Sequence, residues 1–190
     1  MLSGCSDQST ATKKEPEKPP EPVTGLSAVY KMYQMARTWA PDTQVLNMTS
    51  MHMEGVPEAP GKAGVWEGNF TSANLSKVRT FDFSIVEQLP SLHKGVFGGP
   101  ESDFSGSKGE SKPFLIAAVK IDTDAAFETA KAKAVEYEKK NPGKRITFLL
   151  EKIDRFPDAV WRVVWGDSVS TSSFSVFVDA STGAYLETMH

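Results

Sequence analysis

Residues 159–186, AVWRVVWGDSVSTSSFSVFVDASTGAYL, constrain the fold more than any other stretch of the chain. Trp161, Val163 and Trp165 alternate with Val160, Arg162 and Val164, and Phe174, Val176 and Val178 alternate with Ser173, Ser175 and Phe177. An extended backbone sends successive side chains to opposite faces, so a period of two marks strands with one face buried. Gly166 and Asp167 break the first run, and Asp179-Ala180-Ser181-Thr182-Gly183 closes the second. An aspartate there bonds the backbone two residues on, and the glycine accepts positive φ. The chain is therefore expected to close in an antiparallel meander whose apolar face needs a cover.

The cover is written just upstream. Thr123 offers an N-cap hydroxyl, and Phe127, Ala130, Ala134 and Tyr137 follow at helical spacing until Asn141-Pro142-Gly143 stops the run. Residues 145–153 then read as a strand, and Val160-Trp161 opens the next. The same order occurs earlier. Thr24 and Ser27 precede Val29, Met32, Tyr33, Ala36 and Ala40, Pro41 ends that helix, residues 43–53 read as a strand, Val65-Trp66 opens another, and Phe81, Phe83 and Ile85 share a face of a third. Two passes through one order of elements imply an internal duplication. The fold class expected is α+β, two tandem units, each one helix packed on a small antiparallel sheet. Boundaries follow at 1–23 for a tether, 24–90 for a first and degenerate unit, 91–111 for a glycine-rich linker read mostly as loop, and 112–190 for the second unit. Residues 112–121, KPFLIAAVKI, read as a strand that could join either sheet.

The segment AAFETAKAKAVEYEKKNPGKRITFLLEKI, then VWRVVW, then FSVFVDASTGAYL resembles the PepSY domain. That family pairs an alanine-rich helix, a Pro-Gly stop and aromatic-bearing strands with a closing D-A-x-T-G turn. The resemblance covers about residues 123–187; residues 24–87 keep the order of elements but lack the closing turn. It implies a non-enzymatic module with a protein or peptide partner, and restraint of a peptidase as one role.

Cys5 is the single cysteine, so packing alone must hold the fold. Leu2-Ser3-Gly4-Cys5 resembles the lipobox of bacterial lipoproteins, in which the cysteine carries a diacylglycerol. The charged and apolar segments of an export signal would belong to a longer precursor. Residues 6–23 are rich in Pro, Lys and Glu and nearly devoid of apolar side chains, as expected of an extended tether. No run approaches the ~20 apolar residues of a membrane-spanning helix, so lipid on Cys5 is the expected anchor, in the bacterial envelope, facing periplasm or exterior. A net charge of −3 without a basic cluster argues against nucleic acid.

Little chemistry is legible. His52, His93 and His190 have no folded cysteine to pair with and no nucleophile-elbow motif beside them, so no catalytic residue and no cofactor are assigned. Met51, His52 and Met53 suit soft metals by type, but on a strand the methionines face one way and the histidine the other, and core filling is the simpler reading. Trp66 and Trp161 are read as the large core residues under the two helices, whereas Trp39, Trp165 and Phe177 are the candidates for contacting a partner. A non-enzymatic envelope binding module is the leading expectation. The rivals are a carrier of a small apolar ligand, held between helix and sheet near Met32, Met35 or Phe127, and a hydrolase.

Overall fold

The structure, a computed structural model, describes residues 20–88, 90, 92–106 and 111–190. Cys5 and the tether through residue 19 lie outside the described residues, as do positions 107–110 of the linker. The chain enters through a two-residue strand, β1 (Val23–Thr24), and continues directly into α1 (Gly25–Trp39). Then come β2 (Gln44–Met51), the short β3 (Lys62–Ala63), β4 (Val65–Ser72), β5 (Lys77–Ser84) and β6 (Gly95–Asp103). A 3₁₀ turn at Ile116–Ala118 leads to α2 (Thr123–Lys140), β7 (Ile146–Glu151), β8 (Val160–Trp165), β9 (Ser175–Asp179) and β10 (Tyr185–Met189).

Two separate helix-on-sheet units are not what forms. Eight strands join into one antiparallel sheet in the order β10-β9-β8-β7-β2-β4-β5-β6, beside the small β1–β3 ribbon. The join is β2 against β7, with Asn47, Met48 and Thr49 opposite Glu151, Leu150 and Leu149. Its physical cause is an edge problem: a separate sheet would leave β2 and β7 as apolar strands with unpaired backbone groups, and pairing them satisfies both at once. Met48 and Leu150, facing each other across the seam, are fully buried. A single core runs beneath both helices, with Trp66 and Phe127 each 6.2 Å from Phe148 between ring centroids.

Each helix forms for a local reason. α1 buries Ala28, Val29, Met32 and Ala36 along one stripe and stops before Pro41. α2 buries Ala126, Phe127, Ala130 and Ala134, carries Lys139 and Lys140 in its last turn where the dipole favours cations, and ends before Pro142.

Their starts are linked. Asp122, not Thr123, is the N-cap of α2, and its Oδ1 accepts from the N–H of Thr123 at 2.7 Å and from the N–H of Leu26 in α1 at 2.9 Å. Thr123 Oγ1 accepts from the Gly25 N–H at 2.8 Å and donates to the Gly61 carbonyl at 2.5 Å. Thr24, expected to cap α1, makes no side-chain cap bond. Close approach at this junction requires glycine. A Cβ on Gly25 would lie 2.6 Å from both Thr123 Cγ2 and Trp161 Cη2, and one on Gly61, whose φ is +71°, would lie 2.4 Å from the Asp124 Cα. Trp66 and Trp161 are fully buried at this point, their indole N–H groups donating to the carbonyls of Ala63 and Ile121.

Two more expectations change. Glycine-rich residues 95–103, read as loop, form the edge strand β6, because its backbone pairs with β5 without burying alternate side chains. Residues 112–121 do not form a strand: Phe114 bridges Val45 alone, filling the place beside β2 that β7 leaves vacant, and the chain then turns through the 3₁₀ segment.

Candidate functional site

The helices cover one face of the sheet, on which Trp66, Phe83 and Val96 share a row across β4, β5 and β6. On the opposite face Thr80 Oγ1 donates to Asn69 Oδ1 at 2.8 Å, and Asn69 Nδ2 donates to Asn47 Oδ1 at 2.9 Å. One row along lies Glu67 opposite Asp82. Burial first, and then the charge of Glu67, raises the Asp82 carboxyl above its ordinary value. At the matching place on β8 and β9 stands Arg162 opposite Phe177, with the guanidinium carbon 5.0 Å from the ring centroid. Phe177 lies in a second, small core with Ile153, Val160, Phe156, Leu186 and Met189.

The residues singled out from sequence do not come together. Phe177 and Trp165 are each only 1% exposed, so neither presents a ring to a partner. Trp165 instead donates its indole N–H to Glu138 Oε1 at 2.9 Å and packs edge-on against Phe174. Its sequence position, last in a strand before a Gly-Asp break, gave no sign that the end of α2 would close over it. Trp39 is half-buried on α1, 6.3 Å from Phe81 between ring centroids, with its N–H on Glu101 Oε2 of β6 at 2.9 Å. Trp39 alone stands near an open edge.

Met51, His52 and Met53 are likewise divided. Met51 is 40% exposed rather than core-filling, and Met53 packs partly buried against the core. His52 is committed at both nitrogens, Nδ1 to Glu58 Oε1 at 2.7 Å and Nε2 to Thr147 Oγ1 at 2.8 Å. Thr147 gives its hydroxyl proton to the Gly166 carbonyl at 2.6 Å. Toward His52 it therefore accepts, and Nε2 is the donor. Carboxylate, imidazole and hydroxyl stand in the order of a hydrolytic triad, but the proton runs the wrong way for the imidazole to activate the oxygen, and Thr147 is 3% exposed. With both ring nitrogens engaged by Glu58 and Thr147, neither is presented to a metal. Among the described residues no group of three His, Cys, Asp or Glu side chains is placed to hold a metal ion.

Of the residues expected to line a site for a small apolar ligand, Met32 is fully buried with its thioether over Gly68, Met35 is exposed, and Phe127 borders a hollow of about 220 Å³ beside His52 and Glu58. An open cleft of about 650 Å³ lies elsewhere, where the incoming chain, α1 and the ends of β5 and β6 meet. Val23, Phe83, Ile85 and Val86 supply its apolar wall, Lys31 and Lys94 its cations, and Glu21 and Glu87 its carboxylates. Lys31 Nζ sits 4.7 Å from the Phe83 ring centroid. Glu87 is tied into the turn before β6: its carboxylate accepts the Lys94 N–H at 2.5 Å and bonds His93 Nδ1 at 3.2 Å, and the Lys94 bond foremost lowers its pKa. A cleft of this size, largely apolar with a few charged groups on its rim, is the usual form of a ligand site. No motif marked it, because it is assembled from the ends of strands and a turn.

No family model matches the chain, so the PepSY resemblance of residues 123–187 gains no support from one. No curated protein matches it either. The chain is similar in structure to a crystal structure of a presumed lipoprotein from Clostridium difficile, at 9% identity, over 85% of this chain and 91% of that one, with a TM-score of 0.52. At that identity the likeness is one of fold. Among the described residues no helix is long and apolar enough to cross a membrane.

Proposed function

We propose that this is a lipid-anchored protein of the bacterial envelope, non-enzymatic, whose folded part binds an extended protein segment along the edge strand β6. The lipid anchor rests on Leu2-Ser3-Gly4-Cys5, and the fold shared with a presumed lipoprotein is consistent with it. Binding rests on one observation. β6 is nine residues long, has among the described residues a sheet partner on one side only, and begins at the wall of the apolar cleft. An unpaired edge donates and accepts backbone hydrogen bonds to an added strand, and an adjacent pocket selects its side chains. Peptidase restraint followed from the PepSY resemblance alone and is not carried over.

A photo-crosslinking residue placed at Phe97, which is 48% exposed on β6, tests the reading against the same residue placed at Tyr185 on the other edge. In envelope preparations a defined adduct is expected from position 97 and none from 185. Equal labelling from both, or none from 97, rejects it. A second reading, a carrier of a small apolar molecule, is favoured by the cleft itself, and decanoate binding without any adduct at 97 would establish it instead.

A further inference from the structure

Building on the edge-binding reading, the geometry points to the part of the partner that is recognised: we infer that the cleft takes the free C-terminal carboxylate and last apolar side chain of a protein. The residues before that terminus pair with β6 as a ninth strand.

Direction comes first. Gly95 is both a wall of the cleft and the first residue of β6, and the strand runs away from the cleft to Asp103. A chain ending in the cleft while lying beside β6 runs opposite to it, which is the antiparallel pairing of every other neighbour in this sheet. Length comes next. The register of β6 against β5 shifts between Gly98 and Glu101, so a regular added strand is confined to Gly95–Gly99, about five residues or roughly 17 Å of extended chain. The Arg79 side chain lies over Gly98 and donates its Nε–H to the Gly99 carbonyl at 2.8 Å, and Val96, on the helix-covered face, extends the apolar row of Trp66 and Phe83 toward the added strand.

Charge decides the end group. Lys31 and Lys94 stand at the cleft, and neither ammonium has an ion-pair partner among the described residues. Both acidic residues there are engaged, Glu87 by the turn it holds and Glu21 in a contact of its own. Two ammonium groups outside any ion pair among the described residues, Lys31 resting over the Phe83 ring, stand at an apolar wall of Val23, Phe83, Ile85 and Val86 and complement one carboxylate attached to one apolar side chain. A long internal segment would have to bring a neutral peptide group to that place and leave both cations unmatched.

The test uses the full chain immobilised, a pool of random heptapeptides ending in Phe, Leu or Ile with free carboxylates, the same pool amidated, and decanoate. The free pool is expected to be retained, with amidation weakening retention by about tenfold. The double substitution Lys31→Ala/Lys94→Ala, at exposed side chains, should cost the same factor, and backbone amide shifts should concentrate on Gly95–Gly99. Equal retention of the amidated pool overturns the carboxylate assignment while leaving the edge reading to the crosslink at position 97. Decanoate binding with no peptide retained overturns the peptide in favour of a ligand cleft, and absence of any binding overturns the inference outright.

Discussion

β10 and β6, the two end strands of the eight-stranded sheet among the described residues, close it in different ways. β10 follows β9 through a tight turn in which Asp179 Oδ1 accepts from the N–H groups of Ser181 and Thr182. α2 holds that edge down. Thr129 Oγ1 donates to the Gly183 carbonyl at 3.2 Å, and Lys133 Nζ lies 4.6 Å from the Tyr185 ring centroid. Leu186 and Met189 pack on the small core around Phe177, and Arg155 pairs with Glu187. β6 follows β5 after a longer connection, and the cleft lies where the incoming chain, α1 and the ends of β5 and β6 meet. The side with the recognisable closing turn is sealed. The other side, which lacks that turn, keeps an edge unpaired among the described residues, and it is there that the proposed binding is placed.

The largest expected effect tests whether the two sides are one structure. Trp66→Ala and Trp161→Ala should each cost about 3–5 kcal/mol, since both indoles fill the junction where the helix starts meet. In denaturant each variant should still unfold in one transition, seen alike by circular dichroism and by the fluorescence of the tryptophans that remain. Two separated transitions would break the single core into independent sides.

A smaller effect sharpens how the sides are tied. Asp122→Ala should cost about 2 kcal/mol, as it removes caps from two helices, whereas Thr24→Ala should change stability by no more than a few tenths of a kcal/mol. Hydrogen exchange should show the first turn of α1 losing protection together with that of α2. An α1 unaffected by Asp122→Ala would show that the helices are capped separately.

The smallest concerns the uncovered faces, where Glu67 opposite Asp82 on one side answers Arg162 opposite Phe177 on the other. Because the Asp82 carboxyl is raised, the native chain binds that proton more tightly than the unfolded chain. Stability is therefore lost as pH rises from the ordinary carboxylate range through the folded value. Asp82→Asn should accordingly stabilise at pH 7, by about a few tenths of a kcal/mol after solvent screening, with the gain fading as pH falls below the ordinary carboxylate range. Thermal melts across that range measure it, and a gain independent of pH would assign the effect to something other than charge.

Both helices and six of the eight sheet strands were legible, because each buries one stripe or one face and the spacing of Trp161, Val163 and Trp165, or of Ala126, Ala130 and Ala134, states which. What periodicity does not carry is the neighbour. Met48 and Leu150 read as buried strand residues in either of two small sheets, and only the β2–β7 pairing makes them the middle of one. β6 was lost because Gly98, Gly99 and Pro100 bury nothing that could repeat, and β10 because its strand carries polar Glu187 and Thr188. Asp122 could be read only as a residue before a helix, not as the cap of another 96 positions earlier. His52 looked like a ligand by type, and only the placing of Glu58 and Thr147 shows both nitrogens taken.

The cap that α1 borrows has a consequence for the order in which the molecule can be made. As the chain leaves the ribosome, β2, β4, β5 and β6 are all synthesised before Asp122 and Thr123 exist, so the first turn of α1 waits unanchored through about a hundred residues of translation. The first turn of α1 thus gains these two hydrogen bonds only once the second helix begins.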